Sequence, residues 1–301
     1  MSLFNQLIIK TLPIVPKSIV HIFAKTYIAG DTIESAVKVT KDFEKLGGWT
    51  TIDVLGEFVT SKERALHEKS MSSKVLDAIK DNNLKTYLSI KPTSLGLGID
   101  EQFGYENVKE LVDKARKNST FVRIDMENSP YTTKTLNLYK KLRNDGYDNV
   151  GIVIQAYMKR SFDDITSLLE YKPAIRLCKG IYNESPEIAY KGYEEVRDNY
   201  KKLLNLILDN QIYVGIATHD EDLIQYGLKQ INERKLTNDK YEFQMLLGVR
   251  EQRRNEILAA GHHLRIYVPF GVDWYGYSTR RLKENPQMAG HIAKSILGFG
   301  K

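Results

Sequence analysis

The sequence predicts an α/β fold, a (β/α)8 barrel with extra N-terminal helices, and three observations carry that reading. Eight short runs rich in β-branched and aromatic residues recur along the 301 residues. Segments of helical period separate them, among them "SKERALHEKSMSSKVLDAIKD" and "SPEIAYKGYEEVRDNYKKLLNLILDN". Most of the runs are apolar on both faces, as parallel strands covered by helices are. A doubly wound open sheet is the structural alternative, but no GxGxxG follows the first run to support dinucleotide binding of that kind.

The chain divides into a helical arm, residues 1–30, and a barrel, residues 31–301. The arm, "MSLFNQLIIKTLPIVPKSIVHIFAKTYIAG", carries Lys10, Lys17 and Lys25 and no acid before Asp31. Lys10 and Pro13 interrupt its apolar run, which is too short for a signal peptide or a membrane span. It reads either as one or two amphipathic helices packed on the barrel or as a basic, apolar-faced segment that touches a membrane surface.

The β-rich runs follow in order at 49–55 (WTTIDVL), 84–92 (LKTYLSIKP), 120–126 (TFVRIDM), 149–156 (NVGIVIQA), 174–180 (AIRLCKG), 212–219 (IYVGIATH), 241–248 (YEFQMLLG) and 264–271 (LRIYVPFG). In such barrels chemistry sits at the carboxyl ends of the strands. Those ends are polar here. The second run ends in Lys91, the third in Asp125, the fourth in Gln155, the fifth in Arg176 and Lys179, and the sixth in Thr218 and His219. The seventh carries Gln244 and the eighth Tyr267.

Each has a plain structural reading. Lys91 could be a solvated strand end, Asp125 a helix cap, Gln155 and Gln244 satisfied amides, His219 a structural hydrogen bonder and Cys178 a small core residue. Their shared placement on one rim points to a site, because the opposite ends begin with ordinary residues such as Trp49, Leu84 and Asn149. The "GLG" at Gly96–Gly98 reads as a turn.

After the eighth run, "WYGYSTRRLKENPQ" begins a final helix with Tyr277, Arg280, Arg281 and Glu284 at offsets of three, four and seven. Residues so spaced share a face, so two guanidiniums become available to one carboxylate or phosphate. A surface helix with an Arg280–Glu284 pair worth about 0.5 kcal/mol is the alternative.

Composition narrows the partners. With 42% hydrophobic and 27% charged residues the chain can bury a sizeable core. The net charge of +6 comes from 44 basic and 38 acidic residues spread along the chain, unlike the concentrated basic stripe of a nucleic-acid binder. A single Cys178 excludes an internal disulfide and fits a reducing cytoplasm. No CxxC, HExxH or zinc-ligand spacing occurs, so no metal is expected.

The segment "YSTRRLKEN" resembles the signature of the proline dehydrogenase family. "GGWTTIDVLGE", "SIKPTSLG", "VRIDME", "GIVIQAY", "IRLCKGIY", "ATHD", "YEFQMLLG" and "RIYVPFG" follow the family order, and the likeness spans roughly residues 30–296. The resemblance implies an FAD-containing barrel that oxidises L-proline to pyrroline-5-carboxylate and passes electrons to a quinone. It implies that Lys91, Arg280 and Arg281 hold the substrate carboxylate, that Tyr267 and Tyr277 wall its ring, and that Glu284 orients Arg280. Asp125 matches the family's active-site aspartate, which together with Arg176 and Tyr267 makes up the catalytic set. Gln155, Arg176, Lys179, Gly180, Thr218, His219 and Gln244 fall on flavin positions, with Met126 and Ile181 as backbone or packing contacts. A Schiff-base role for Lys91 or Lys179 is the less favoured chemistry, since it needs a desolvated amine.

Ile181 replaces a commonly smaller residue and Cys178 a commonly aliphatic one, which bears on the fit of the flavin edge. With the chain ending at Lys301, the resemblance implies the monofunctional form, with a separate pyrroline-5-carboxylate dehydrogenase downstream. The implied location is cytoplasmic, with peripheral contact on the inner face of the cell membrane as an option. Two other classes compete: a flavin-free barrel enzyme acting on a carboxylate or phosphate, and a non-enzymatic basic barrel binding an acidic partner.

Overall fold

The computed structural model describes residues 24–278. Helix α1 (Ile33–Glu44) starts at Thr32, whose hydroxyl accepts from the Ser35 amide at 3.3 Å. The chain then alternates through β1 (Trp49–Val54), α2 (Lys62–Asp81), β2 (Thr86–Ile90), α3 (Glu101–Lys117), β3 (Val122–Ile124), α4 (Ser129–Asn144), β4 (Val150–Gln155) and α5 (Ser161–Thr166). It continues through β5 (Ile175–Cys178), α6 (Tyr193–Asp209), β6 (Val214–Ala217), α7 (Glu221–Glu233), β7 (Tyr241–Leu246), α8 (Glu251–Ala259) and β8 (Leu264–Phe270). The strands pair in chain order, all parallel, and β8 closes onto β1 with Thr51 opposite Tyr267 and Asp53 opposite Pro269. This is the (β/α)8 barrel the alternating pattern predicts.

Side-chain caps start several helices where the sequence changes period. Ser61 Oγ accepts from the Arg64 amide at 3.2 Å before α2, and Asp100 Oδ1 from the Phe103 amide at 2.6 Å before α3. Such a cap satisfies one of the orphan N–H groups of the first turn and contributes about 1 kcal/mol.

The runs overreach the strands at their ends for local reasons. Pro92 has no N–H to give the ladder, so β2 stops at Ile90 and a 3-10 turn (Pro92–Leu95) follows, closed by Gly96. The helix expected over 185–210 begins only at Tyr193. Before it, the chain holding Pro186 pairs Ala189 with Met158 in an isolated antiparallel bridge.

Packing separates two environments. Between sheet and helices lies an apolar shell in which Val75, Leu76, Val108 and Leu204 meet Leu88, Val122, Ile152 and Ile216, all fully buried. Inside the barrel several of the alternate residues are charged, and Asp53, Arg123, Glu242 and Arg265 are buried there among neutral ones such as Ser89, Gly215 and Gln244. Helix α1 lies against β1 and β8. Before it, Ala24, Tyr27 and Ile28 pack with Leu55 and Tyr277, and the Ala29 amide donates to Pro269 O at 2.9 Å. Among the described residues no helix is long and apolar enough to cross a membrane.

Candidate active site

Residues of β1, β5, β7 and β8 and those just past β2 and β3 bring one charge network together. Arg176, Gln244 and Tyr267 lie within their strands rather than at the ends where the sequence runs put them. Lys91, one residue past β2, donates from Nζ to both Asp53 oxygens at 2.8 Å and to Tyr267 Oη at 3.2 Å. The same ammonium lies 3.6 Å from Asp125 Oδ2. Asp125 Oδ2 accepts the Tyr267 phenol at 2.8 Å, while its Oδ1 accepts Ser89 Oγ at 2.8 Å and Arg176 Nη1 at 2.7 Å. Arg176 Nε in turn donates to Gln244 Oε1 at 2.6 Å.

Burial sets the protonation of these groups. Desolvation alone would lower the Lys91 ammonium, and the carboxylates of Asp53 and Asp125 more than reverse it, so Lys91 is held as a cation. Burial pushes Asp53 up, against the pull of Lys91. One ammonium shared evenly between both oxygens is the geometry of an ionised pair. A protonated Lys91 is no Schiff-base nucleophile. Burial and the two aspartates hold the Tyr267 phenol well above its ordinary value, so it stays a donor.

A second cluster stands past β5 and β6. Asp220 caps α7 by accepting the Asp222 amide, and its carboxylate also receives Lys179 Nζ at 3.0 Å, Tyr193 Oη at 2.7 Å and Arg197 Nη2 at 2.7 Å. Burial works against the charge on Asp220, and the Arg197, Tyr193 and Lys179 hydrogen bonds overcome it, holding the carboxyl far below the usual range. Thr218 Oγ1 accepts the Asp220 amide at 3.1 Å. His219 Nε2 accepts the Leu246 amide at 2.9 Å, which places its ring proton on Nδ1.

Three further features bear on a bound group. Gly180 has φ +107°, and a Cβ there would strike the Tyr157 ring, so the backbone just past the end of β5 packs directly on that buried ring. Gln155 Nε2 donates to Glu127 O at 2.9 Å, while its buried Oε1 has no hydrogen-bond partner among the described residues. A buried acceptor left open suits a donor on a bound molecule. Met126 is buried, Ile181 is 38% exposed on the rim, and Cys178 is half-buried.

Tyr277 is buried against Leu55 and Tyr27. Arg280, Arg281 and Glu284 lie outside the described residues. No group of three or more His, Cys, Asp or Glu side chains that could hold a metal ion occurs among the described residues.

A sequence profile of the family described as "Proline dehydrogenase" matches residues 36–294. The chain belongs to the proline dehydrogenase family. It is 36% identical over 274 residues to "Proline dehydrogenase 1" of Bacillus subtilis, covering 91% of this chain and 90% of that protein. To "Proline dehydrogenase" of Deinococcus radiodurans it is 34% identical over 278 residues, covering 91% and 90%. A crystal structure of proline utilization A from Bdellovibrio bacteriovorus, inactivated by N-propargylglycine, superposes with a TM-score of 0.82 at 24% identity, covering 92% of this chain and 34% of that one. That likeness shows the fold.

Reading strand ends alone misses residues that the barrel places at or below this family's mouth. Asp53 and Asp220 complete the ion pairs of Lys91 and Lys179, and the Ser89 hydroxyl donates to Asp125. Glu127 is fully buried and accepts both the Thr93 amide, at 2.9 Å, and its hydroxyl. Burial pushes Glu127 up to about 7 against those two hydrogen bonds. A signal was available: Asp53, Arg123, Glu242 and Arg265 are charges at alternating positions inside otherwise apolar runs, where only a lined interior would tolerate them.

Proposed function

We propose that this chain oxidises L-proline to pyrroline-5-carboxylate, the first step of proline catabolism, with FAD as cofactor and a quinone as final acceptor. Family membership supports the reaction, and the observation that carries the site is the network in which Lys91, Arg176 and Tyr267 converge on Asp125. Residues 31–301 form the catalytic barrel in this reading and residues 1–30 the arm.

The residues fit a flavin on two counts. Gln155 offers an open buried acceptor, and Arg176 holds a guanidinium, anchored on Asp125, at the mouth, where negative charge developing on a reduced ring is stabilised. Met126, Lys179, Ile181, Thr218, His219 and Gln244 complete the cofactor side. When bound, FAD supplies the acceptor for the hydride that leaves the ring carbon beside the proline nitrogen.

The chain's own residues bind and aim the substrate. Tyr267 is fixed at its hydroxyl by Asp125 and Lys91, which turns its ring into a rigid wall for the apolar proline ring, with Tyr277 as the second wall. Lys91 supplies one cation for the substrate carboxylate, and Arg280 and Arg281, oriented by Glu284, supply the rest. Asp125 holds Arg176 and Tyr267 in register by accepting from both.

The product is pyrroline-5-carboxylate, which a pyrroline-5-carboxylate dehydrogenase would take next. A lipid-soluble quinone makes the arm, with Lys10, Lys17 and Lys25, the natural contact with the inner face of a membrane.

An absorbance spectrum of the FAD-loaded protein, taken before and after anaerobic proline, tests the reading. Bleaching of the long-wavelength flavin band is the expected result. A colourless protein that neither takes up FAD nor responds to proline would overturn it and favour a flavin-free barrel acting on another carboxylate.

A further inference from the structure

Below the mouth, the barrel interior holds charges that the proposed chemistry does not use. Glu242 and Gln244 sit two residues apart on β7, so both point inward. Glu242 is fully buried, and its Oε1 accepts Arg265 Nε at 2.8 Å and Gln244 Nε2 at 2.5 Å. The other end of the Gln244 amide, Oε1, accepts Arg176 Nε. On β6, Gly215 stands opposite Glu242, and a Cβ there would strike the Gln244 amide, so the absence of a side chain makes room for it.

A primary amide has almost the same shape after a half-turn that exchanges its oxygen and nitrogen, so its neighbours decide which way it faces. Arg176 can only donate and therefore needs the oxygen. An ionised Glu242 can only accept and therefore needs the NH2. The two demands agree, and Glu242 enforces the orientation from the side away from the mouth.

Glu242 is itself well anchored. Burial opposes its ionisation, and Arg265 outweighs that, holding the carboxyl below its ordinary range. Arg265 also donates to Thr50 O at 2.6 Å and stacks 3.5 Å from the Tyr87 ring centroid, so the pair is tied to β1 and β2. The ladder Arg265–Glu242–Gln244–Arg176–Asp125 runs from the closed interior to the mouth.

We propose that Glu242 is a positioning residue: by holding the NH2 of Gln244 it fixes the amide oxygen on Arg176 and so aims that guanidinium at Asp125 and the mouth. The orientation of Arg176 follows from these contacts alone. Its effect on turnover rests on the proline-oxidising function proposed above.

The test uses the full chain with Glu242→Gln and with the exchanged pair Glu242→Gln/Gln244→Glu. In the single variant Arg176 alone still selects the oxygen of residue 244. A neutral amide at 242 can accept or donate and no longer demands the NH2, so the orientation is held from one side only. In the exchanged pair a carboxylate at 244 accepts from Arg176 in either rotation. The first readout is hydrogen exchange at the Arg176 Nε–H by NMR without flavin, with the resonance assigned through Arg176→Lys. Exchange is expected to be at least tenfold faster in Glu242→Gln than in the parent and to return to within threefold in the exchanged pair.

The second readout is kcat with proline on the FAD-loaded Glu242→Gln protein, expected to fall at least tenfold with KM changed less than twofold. Unchanged exchange in a folded Glu242→Gln protein overturns the proposal, as does an exchanged pair no better than the single variant. Loss of folding in both assigns Glu242 a structural role alone and also overturns it. A parent that shows the exchange pattern but never oxidises proline upholds the positioning and sinks the proline reading.

Discussion

Lys91 Nζ lies 2.8 Å from both carboxylate oxygens of Asp53, so the cation presented at the end of β2 is already shared with an acid beneath it. Arg176 is likewise shared with Asp125. Two cations and two acids cancel in this inner set, which leaves little net field for an anionic substrate. Further positive charge has to come from above, and Arg280 and Arg281 are the residues the sequence offers for it. Removing one member of a buried pair strands the other, at a cost of about 3–5 kcal/mol. Asp53→Asn is therefore expected to lower the urea midpoint strongly. Asp53→Asn/Lys91→Met should lose less than Asp53→Asn alone; equal or greater loss in the double variant would show that the pair is not coupled.

Tyr267→Phe removes a donor to Asp125 and an acceptor for Lys91 while keeping the ring. Hydrogen bonds to charged groups are worth about 1.5–3 kcal/mol, so kcat/KM for proline should fall roughly 10- to 100-fold. Thermal stability should fall too, because the Asp125 carboxylate loses a donor in the folded protein. Steady-state kinetics with a soluble electron acceptor would reveal this, and undiminished kcat/KM would remove Tyr267 from the substrate wall.

Glu127 makes a stability prediction with a definite sign. Its folded value of about 7 lies above the ordinary 4.5, so between those values the folded state keeps a proton that the unfolded state has released. Its contribution is full below about pH 4.5 and is lost as pH rises through about 7, by an amount of order 3 kcal/mol. Glu127→Gln mimics the protonated form, its oxygen accepting the Thr93 amide and its NH2 facing the Thr93 hydroxyl. Urea unfolding at pH 5 and pH 8 should show the variant gaining on the parent only at the higher pH. A constant difference across both would mean that Glu127 does not titrate in this window.

The barrel was legible in the sequence because eight β-rich runs, most of them apolar on both faces, with helical intervals leave few other ways to bury that surface. Part of the rim was legible too, since Lys91 and Asp125 stand just past β2 and β3. Arg176 lies near the start of β5 and Tyr267 in the middle of β8, not at strand ends as the runs suggested, and the closed sheet still brings the four together. Their partners were harder to see. Asp53 and Glu242 sit within runs, and only the register tells which alternate positions face the axis. Glu127 was hidden for another reason: its partner Thr93 belongs to the turn after β2, and nothing in the spacing of residues 93 and 127 indicates that two loops meet.

Arg280 and Arg281 lie beyond the described residues, and their role is open to kinetics. A planar guanidinium binds a carboxylate through two parallel N–H groups, which an ammonium cannot reproduce. Arg281→Lys should raise the KM for proline at least tenfold, about 1.4 kcal/mol, and leave the flavin content unchanged. Unaltered kinetics would return Arg281 to the status of a surface charge.

Gly180 and Gly146 together separate backbone strain from cofactor fit. Both have positive φ, +107° and +83°, but a Cβ on Gly146 meets nothing within 4 Å, whereas one on Gly180 meets the ring of Tyr157. Gly146→Ala should cost only the conformational strain, about 1 kcal/mol. Gly180→Ala must also displace a buried tyrosine and push the chain into the space above it, so a loss of about 3 kcal/mol is expected. FAD titration into flavin-free protein distinguishes the two effects. Gly146→Ala should bind as the parent does, and Gly180→Ala should bind at least tenfold more weakly even under conditions where both are fully folded. Equal affinity in a folded Gly180→Ala protein would leave Gly180 explained by Tyr157 alone and would move the flavin away from the end of β5.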